Sequence, residues 1–406
     1  MVNNMKKVKI AIIGGGASGL FLAQDLKRNM PETEVTIFEA SEKLGRKIDA
    51  SGNGRGNLTN VFVAPDKYNN PQFVKNILER FTAADFLVYA QQLGLQTKID
   101  EEGRVYPLGD NGKIWRTILV EENRQQAVDI LLNTPVKTIN KTKRNTYIIN
   151  HQEFDFLVLA LGSKAGPNYK FKMQDNTQIF LDLNVKVRQS YPTLSSLGVY
   201  ENLKIIDGQR VKATVNLFIN GNKQFGTKGE VLFRPRALSG IAVFECSSYL
   251  TWEYRKQSKI SADIVLDLLN EYSLDDLTKE LQNRLDLQKE GRFTGILDGF
   301  FTPEINHYIL TQTDNVTAES IADTIKNLRF SIDLSYVPNN NQVESGGVDL
   351  LEVDQLTLSS KNDDHLFFIG EALDIDGYCG GYNLHFAWAS AFYVSEILQK
   401  RLQNYE

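Results

Sequence analysis

Hydrophobic and polar positions in the first forty residues follow the pattern of a β–α–β unit. Residues 8–13 form an apolar run of strand length, and residues 18–29 then place apolar side chains at helical spacing. A second apolar run at residues 35–39 ends in Glu39. A strand, a helix and a further strand in this order predict a doubly wound, parallel sheet.

The same pattern continues beyond this unit. Apolar residues at helical spacing predict helices at 71–93, 124–132 and 384–398. Two uninterrupted apolar runs, residues 154–161 and 365–369, are each followed by a glycine and predict buried strands of the same sheet. A strand followed directly by a glycine is typical of the turns at the carboxyl edge of such a sheet.

The middle of the chain has a different pattern, which predicts an insertion. Strict alternation at residues 211–219, 223–225 and 230–233 predicts an antiparallel barrel or sandwich. Residues 261–327 then place apolar side chains at helical spacing, and residues 330–334 return to strand. The predicted domains are a discontinuous sheet domain (1–187 and 346–406), an inserted β-barrel or substrate domain (188–260 and 328–345) and a helical subdomain (261–327).

Composition limits the classes of function that need to be considered. The 406 residues carry a net charge of −5, which provides no basic surface for nucleic acid or anionic lipid. No apolar run approaches the roughly 18 residues of a membrane span. Cys246 and Cys379 form no C-x-x-C pair, and the histidines do not cluster at metal-ligand spacing, so we predict no metal site. We expect a cytoplasmic protein that acts on a small molecule, without a nucleic-acid or membrane partner; its oligomeric state is left open.

A glycine-rich turn gives the first sign of chemistry. The residues Gly-Gly-Gly-Ala-Ser-Gly at 14–19 lie between the first strand and the first helix. In this pattern Gly14 permits the tight turn, Gly16 lets the backbone approach a pyrophosphate, and Gly19 lets helix and strand pack closely. Glu39, twenty residues after Gly19, is placed to accept hydrogen bonds from a ribose 2′-hydroxyl. The pattern predicts a dinucleotide site.

Two further glycine-rich blocks follow strands of the predicted sheet. Gly45–Asn60 comes after the ribose-binding strand and offers backbone N–H groups together with three cationic side chains. Gly370–Leu384 follows the last buried strand and leads into a helix whose positive end suits the negative charge of a reduced flavin ring. Glu371 or Asp374 is placed to hold ribityl or phosphate-side hydroxyls.

These three blocks together resemble the FAD-dependent oxidoreductases that include aminoacetone oxidase-like and BaiN-type (YhiN-like) proteins. The family patterns G-R-K-x-x-x-[ST]-G-x-G-R-C-N-x-T-N and G-E-x-x-D-x-x-G-x-x-G-G-Y-N occur in register at 45–60 and 370–383. The resemblance implies an α/β fold: a Rossmann-like FAD-binding domain interrupted by an antiparallel β-barrel and a small helical subdomain. Three positions depart from the family pattern, namely Gly56 in place of cysteine, the segment 163–176, and the residues around 234–236.

The resemblance also implies a set of cofactor contacts. The implied FAD-binding residues are Gly14, Gly16, Ala17, Ser18, Gly19, Glu39, Ala40, Arg46, Lys47, Ser51, Gly52, Asn57, Thr59, Val136, Gly162, Gly370, Glu371, Gly381, Tyr382 and Asn383. Val136 is included as a backbone contact to adenine.

The sequence leaves the reaction open among three alternatives. In the first, an amine or another small substrate gives a hydride to FAD, and oxygen reoxidises the flavin, as in aminoacetone oxidation. In the second, NAD(P)H acts as a transient donor and the flavin reduces an unsaturated substrate. In the third, the chain is a flavin-binding protein without catalytic activity, used in RNA modification, sensing or assembly.

Four side chains are candidates for the substrate side. Arg234 and Arg236 flank a proline and could clamp a carboxylate, or could be solvated loop charges. His385 lies one residue into the predicted flavin-side helix and could act as an acid or base, or could pack. Tyr382 could shield the flavin ring.

Overall fold

A computed structural model of the chain describes residues 7–165, 176–257, 259–291, 295–338 and 341–403. The predicted departure at 163–176 therefore lies mostly outside the described residues. The chain divides into two compact units, residues 1–191 with 343–406 and residues 192–342. None of the helices in the described ranges is both long and apolar enough to cross a lipid bilayer.

The helices and strands are as follows. The strands are β1 (Lys9–Ile13), β2 (Glu34–Phe38), β3 (Thr59–Asn60), β4 (Thr97–Ile99), β5 (Arg104–Pro107), β6 (Asp129–Leu131), β7 (Asn140–Lys141), β8 (Tyr147–Ile149), β9 (Gln152–Phe154), β10 (Phe156–Leu159), β11 (Val187–Thr193), β12 (Leu197–Gly198), β13 (Arg210–Ile219), β14 (Asn222–Arg234), β15 (Ala237–Ser239), β16 (Ala262–Asp267), β17 (Leu328–Ser331), β18 (Val343–Val348), β19 (Ser359–Ser360) and β20 (Asp363–Phe368). The α-helices are α1 (Ala17–Asn29), α2 (Arg46–Ala50), α3 (Pro71–Arg80), α4 (Ala83–Gln92), α5 (Gly112–Gln125), α6 (Thr177–Asp182), α7 (Ile241–Lys256), α8 (Leu274–Lys289), α9 (Pro303–Thr311), α10 (Ala318–Lys326) and α11 (Tyr382–Gln403).

The first unit is built on the predicted doubly wound sheet. Its strand order is β19-β20-β10-β1-β2-β6, and every pair is parallel except β19 with β20. Four of the five residues of β1 are buried, as expected of a strand covered by helices on both faces. The chain turns to opposite sides after β1 and after β10, which makes the carboxyl ends of these strands the place where a ligand binds in such sheets.

Aromatic packing fixes the helices that cover this sheet. The indole of Trp388 in α11 stacks on Phe86 of α4 and meets Trp115 of α5 edge-on, and all three side chains are fully buried. Phe21 of α1 contacts the same indole. The C-terminal helix is thereby held against three helices from the first third of the chain.

Two predicted helices of this unit differ from the structure. The predicted helix 71–93 is two helices, because Thr82 forms a capping box with Asp85 that begins α4. The predicted helix 124–132 is wrong: α5 ends at Gln125, Ala127 has a positive φ of 57°, and the next residues form β6 beside β2. Pairing with β2 outweighs the helical spacing in this segment.

The second unit contains a six-stranded antiparallel sheet, in the order β12-β15-β14-β13-β16-β17. The two edge strands are joined where Tyr200 N–H donates to Ser331 O at 3.1 Å and Asp333 N–H donates to Gly198 O at 2.9 Å. These hydrogen bonds close one end of the sheet into a barrel. The antiparallel barrel of the predicted fold class is thus present.

Two details of this unit were not predicted correctly. Residues of β16 were assigned to the helical segment 261–327, but they pair with β13 and β17 inside the barrel sheet. The two short strands predicted at 223–225 and 230–233 are parts of the single long strand β14. The helical subdomain as a separate domain remains a prediction.

Candidate flavin site

The three glycines of the turn after β1 have different surroundings. A Cβ atom at Gly14, whose φ is +112°, would lie 2.3 Å from the carbonyl oxygen of Ala160, so the turn can approach β10 only with glycine there. A Cβ at Gly19 would lie 2.0 Å from the carbonyl oxygen of Gly14, which is the close contact of helix with strand. A Cβ at Gly16 would meet no atom within 4 Å. Packing therefore explains Gly14 and Gly19 but leaves Gly16 unexplained.

Glu39 is held at the carboxyl end of β2 by its neighbours. The backbone N–H of Gly15 donates to one carboxylate oxygen at 2.9 Å. The N–H and hydroxyl of Ser41 donate to the other oxygen at 2.8 and 2.6 Å. These donors fix the orientation of the carboxylate. The adjacent Ala40 is exposed.

Three distant segments converge on the ammonium group of Lys47. It lies 2.6 Å from the Glu371 carboxylate and 2.9 Å from the Ser163 hydroxyl, and Ser163 also donates to Glu371 at 3.3 Å. Lys47 belongs to α2, while the other two residues follow β10 and β20. Gly162, with a φ of +67°, makes the turn that presents Ser163. Ser163 was not among the predicted residues, because a lone serine after a strand carries no recognisable pattern.

The turn after β20 lies against the start of α1. A Cβ at Gly370 would lie 2.7 Å from the hydroxyl oxygen of Ser18, and the Gly370 N–H donates to Ser390 Oγ at 3.0 Å. Ala17 and Ser18 form the first turn of α1. The first and third glycine-rich blocks are therefore in direct contact.

The second and third blocks also meet. A Cβ at Gly381 would lie 2.5 Å from Thr59 O and 2.7 Å from Asn57 Oδ1. The Asn60 amide donates to Gly380 O at 3.0 Å. Asn57 Oδ1 is buried and has no hydrogen-bond partner among the described residues. A buried acceptor without a partner is costly unless a ligand or water supplies a donor.

Asn383 and Tyr382 organise the entry into α11. The Asn383 side chain accepts from Gly377 N–H at 2.8 Å and donates to Gly377 O at 2.9 Å, which folds the loop back on itself. The carbonyl of Tyr382 accepts from the Tyr68 hydroxyl at 2.9 Å, and the two rings pack edge to face. That Tyr382 shields the flavin ring remains a prediction.

The remaining predicted contacts lie in loops and short helices of the first unit. Ser51 Oγ donates to Ile48 O at 2.9 Å and ends α2, whose first residue is Arg46, and Gly52 is exposed with a φ of +56°. Val136 is buried in a loop whose Thr134 N–H donates to Glu39 O at 2.9 Å. The predicted adenine contact of Val136 is untested.

The geometry of His385 favours packing, the second alternative from the sequence, over an acid or base role. Its ring is fully buried, and its nitrogens lie 2.8 Å from Thr59 Oγ1 and 3.0 Å from Phe81 O. Burial lowers the pKa of His385 to about 4. Because Phe81 O can only accept, the neutral ring donates from Nε2 and accepts the Thr59 hydroxyl proton at Nδ1. His385 therefore holds the motif residue Thr59 in place.

Arg234 and Arg236 lie at the tip of a hairpin in the second unit: Arg234 is the last residue of β14, and Arg236 is the second residue of the two-residue turn that follows. Both are exposed, and Arg234 lies 3.6 Å from the Asp207 carboxylate. Hydrogen bonds from Ser335, followed by the charge of Arg236, hold the pKa of Asp333 below its usual value. Both arginines thus have acidic neighbours, which favours the alternative of solvated loop charges over a carboxylate clamp.

Several features of this site fit an extended dinucleotide such as FAD. The space beside Gly16 and the N-terminus of α1 suit a pyrophosphate, whose charge the helix end stabilises. Glu39 is an oriented acceptor for ribose hydroxyls. The isoalloxazine and ribityl groups of FAD carry N–H and O–H donors, which could supply a hydrogen bond to the buried acceptor Asn57 Oδ1. Gly16 and Glu39 lie at the carboxyl ends of the neighbouring strands β1 and β2.

Comparison with known proteins gives the same assignment. The family described as HI0933-like protein Rossmann domain matches residues 8–397. The 3-dehydro-bile acid delta(4,6)-reductase of Clostridium scindens is 29% identical over 97% of this chain and 99% of that protein. The ribosomal RNA dihydrouridine synthase of Escherichia coli is 28% identical over 97% of this chain and 98% of that protein.

Among solved structures, the 3-ketosteroid delta1-dehydrogenase of Sterolibacterium denitrificans aligns over 98% of this chain and 100% of its own, with a TM-score of 0.47 and 10% identity. The family resemblance predicted from the two long motifs is confirmed by the family match. Because that match covers nearly the whole sequence, the chain belongs to the HI0933-like Rossmann family and is an FAD-dependent oxidoreductase.

Proposed function

We propose that the chain is a reductase that transfers a hydride from reduced FAD to a carbon–carbon double bond conjugated with a carbonyl group. NAD(P)H is the transient donor that reduces FAD, and the enolate left by hydride addition takes a proton from water at the neighbouring carbon. The observation that carries this proposal is the full-length match to two relatives of different substrate class. A delta(4,6)-reductase and a dihydrouridine synthase are both named for adding hydrogen to such a bond. This shared chemistry favours reduction over amine oxidation, the first alternative from the sequence.

The residues of the first unit have separate tasks in this reaction. Bound FAD supplies the hydride chemistry, and the protein supplies position and electrostatics. Gly16 gives room for the pyrophosphate, and Glu39 orients the ribose. The ion pair of Lys47 with Glu371 adds no net charge, so its contribution is to fix the geometry of the segments that meet there.

A small conjugated ketone is the substrate class that we favour. The net charge of −5 provides no general attraction for a polyanion, and nucleic-acid binding depends strongly on such attraction. A uridine in ribosomal RNA is the second candidate. It is favoured by the Escherichia coli relative, whose identity and coverage nearly equal those of the bile-acid reductase.

An anaerobic reduction assay tests the proposal. The FAD-loaded protein is mixed with NADH or NADPH, and flavin bleaching is followed at its visible absorbance maximum. A 4,6-dien-3-one bile acid or ribosomal RNA lacking dihydrouridine is then added as the acceptor. We expect bleaching by one nicotinamide and recolouring by the dienone, with the saturated product identified by mass spectrometry. The Gly16→Ala variant serves as the matched control, because its activity should fall with its FAD content.

Other outcomes would contradict the proposal in distinct ways. Recolouring by RNA alone, with dihydrouridine formed, would replace the small ketone by the second candidate. Bleaching by an amine without nicotinamide, followed by peroxide formation on admission of oxygen, would establish an oxidase. Failure of every donor to bleach the flavin would favour a flavin-binding protein without catalytic activity.

A further inference from the structure

Asp49 of α2 joins two cations of very different exposure. Its Oδ1 lies 2.7 Å from Nε of Arg116 on α5, and its Oδ2 lies 2.5 Å from Nζ of Lys43. The side chains of Asp49 and Arg116 are 12% and 19% exposed, whereas that of Lys43 is 43% exposed. Since solvent screens the exposed pair, the contact with Arg116 is the stronger of the two.

This ion pair anchors a helix that is too short to be stable alone. Helix α2 has five residues, and isolated helices of this length do not form in water. Its first end is fixed where Gly45 N–H donates to Gly15 O at 2.9 Å. Its other end lies against α5, since a Cβ at Gly112 would approach Ile48 O to 2.4 Å. Asp49 supplies the charged contact between the same two elements.

Lys47 lies between these two anchors. Its ammonium group extends away to Glu371 and Ser163, which belong to loops after β20 and β10. The placement of that group depends on the position of α2, because Lys47 lies two positions before Asp49 in the same helical turn. The contact of Asp49 with α5 therefore helps to hold Lys47 where it reaches its partners.

We propose that Asp49 is a positioning residue for the cofactor: by holding α2 against Arg116, it places Lys47 in the contact that joins the second and third glycine-rich blocks around FAD. This inference depends on FAD as the ligand of the site and is independent of the substrate. It can therefore be tested by cofactor binding alone.

A double-mutant cycle on FAD affinity tests the inference. The apoprotein and its variants Asp49→Asn, Lys47→Met and the double variant are titrated with FAD, and dissociation constants are obtained from quenching of flavin fluorescence. We expect Asp49→Asn to weaken FAD binding about tenfold, a change of roughly 1.4 kcal/mol. Because Asp49 acts through Lys47, the double variant should bind FAD no more weakly than Lys47→Met alone.

Two controls separate positioning from a general loss of stability. Arg116→Met should reproduce the effect of Asp49→Asn, whereas Lys43→Met should leave FAD affinity unchanged. Asp263→Asn in the second unit removes a partly buried carboxylate that joins Arg329 and Ser331, and it should also leave FAD affinity unchanged. The visible circular dichroism of FAD-saturated Asp49→Asn should differ from that of the parent, because the cofactor environment has moved.

The inference would be overturned by unchanged FAD affinity in Asp49→Asn or Lys47→Met, or by additive effects in the double variant. Equal losses in Lys43→Met and Arg116→Met would also overturn it, because the exposed cation should not matter. A visible circular dichroism spectrum identical to that of the parent would assign Asp49 to stability alone. Each of these results leaves the proposed reductase activity untouched, since none involves a substrate.

Discussion

The Gly16→Ala substitution separates the ligand-binding role of the glycine turn from its packing role. The backbone of Gly16 has φ −79° and ψ −163°, which any L-residue adopts, and the added methyl group meets no protein atom within 4 Å. Reduced entropy of the unfolded chain adds about 0.4–1 kcal/mol of stability. The poorer capping preference of alanine removes about 1 kcal/mol or less. We therefore expect the unfolding free energy of the apoprotein to change by less than about 1 kcal/mol.

FAD binding should respond very differently to the same substitution. The methyl group occupies the space in which the backbone would approach the pyrophosphate. We expect FAD affinity to fall about 10- to 100-fold, equivalent to roughly 1.4–2.8 kcal/mol. The assay is chemical denaturation of the apoprotein, combined with FAD titration and with thermal unfolding at saturating FAD.

Gly19→Ala provides the contrasting variant on the same turn. Its methyl group would lie 2.0 Å from Gly14 O, so helix and strand must move apart. Such overpacking costs about 1–3 kcal/mol, and the loss should appear without FAD. Parent-like FAD affinity in Gly16→Ala would refute the reasoning, because it would mean that no ligand group enters that space.

Three further predictions follow from individual buried or oriented groups. Glu39→Arg removes the ribose acceptor and adds a positive charge, so purified protein should retain little FAD; unchanged flavin content would contradict the ribose assignment. Because burial lowers the pKa of His385 to about 4, the unfolded chain binds a proton there more tightly, and stability should be lost as the pH falls from about 6.5 towards 4. That loss, roughly 3 kcal/mol, should be absent from His385→Asn when denaturation curves are compared across this range. Burial raises the pKa of Asp25, so the ionised carboxylate destabilises the fold as the pH rises above the ordinary carboxyl pKa of 3.8; Asp25→Asn should unfold at a higher temperature than the parent at pH 7.5, and this gain should disappear as the pH falls towards 3.8.

The sequence predicts local features of the site well, because their causes are local. The roles of Gly14 and Gly19 follow from a tight turn between a strand and a helix, and the structure contains both close contacts. The distance of Glu39 from this turn places its carboxylate beside Gly15, whose N–H donates to it, and its contact with a ribose stays a prediction. Within such a unit, spacing along the chain largely determines spacing in the fold.

Features that depend on pairing between distant segments were predicted less well. Residues of β6 and β16 have apolar side chains at helical spacing, yet each becomes a strand because a neighbouring strand offers an open edge. The choice between the two alternatives for His385 also depends on distant segments. Its position one residue into the last helix allows either an acid or base role or packing, whereas its hydrogen-bond partners are Thr59 and Phe81, more than 300 positions earlier.

The candidate site is therefore a product of long-range contacts rather than of any single motif. Lys47 and Glu371 are 324 positions apart, and the indole N–H of Trp388 donates to Leu58 O across 330 positions. Each motif alone places donors or acceptors on a loop, and loops without partners keep considerable conformational freedom. These contacts between distant segments of the chain restrict the loops in the absence of ligand. No motif specifies Ser163 or Asp49. Both contribute because they fix the positions of residues that the motifs specify.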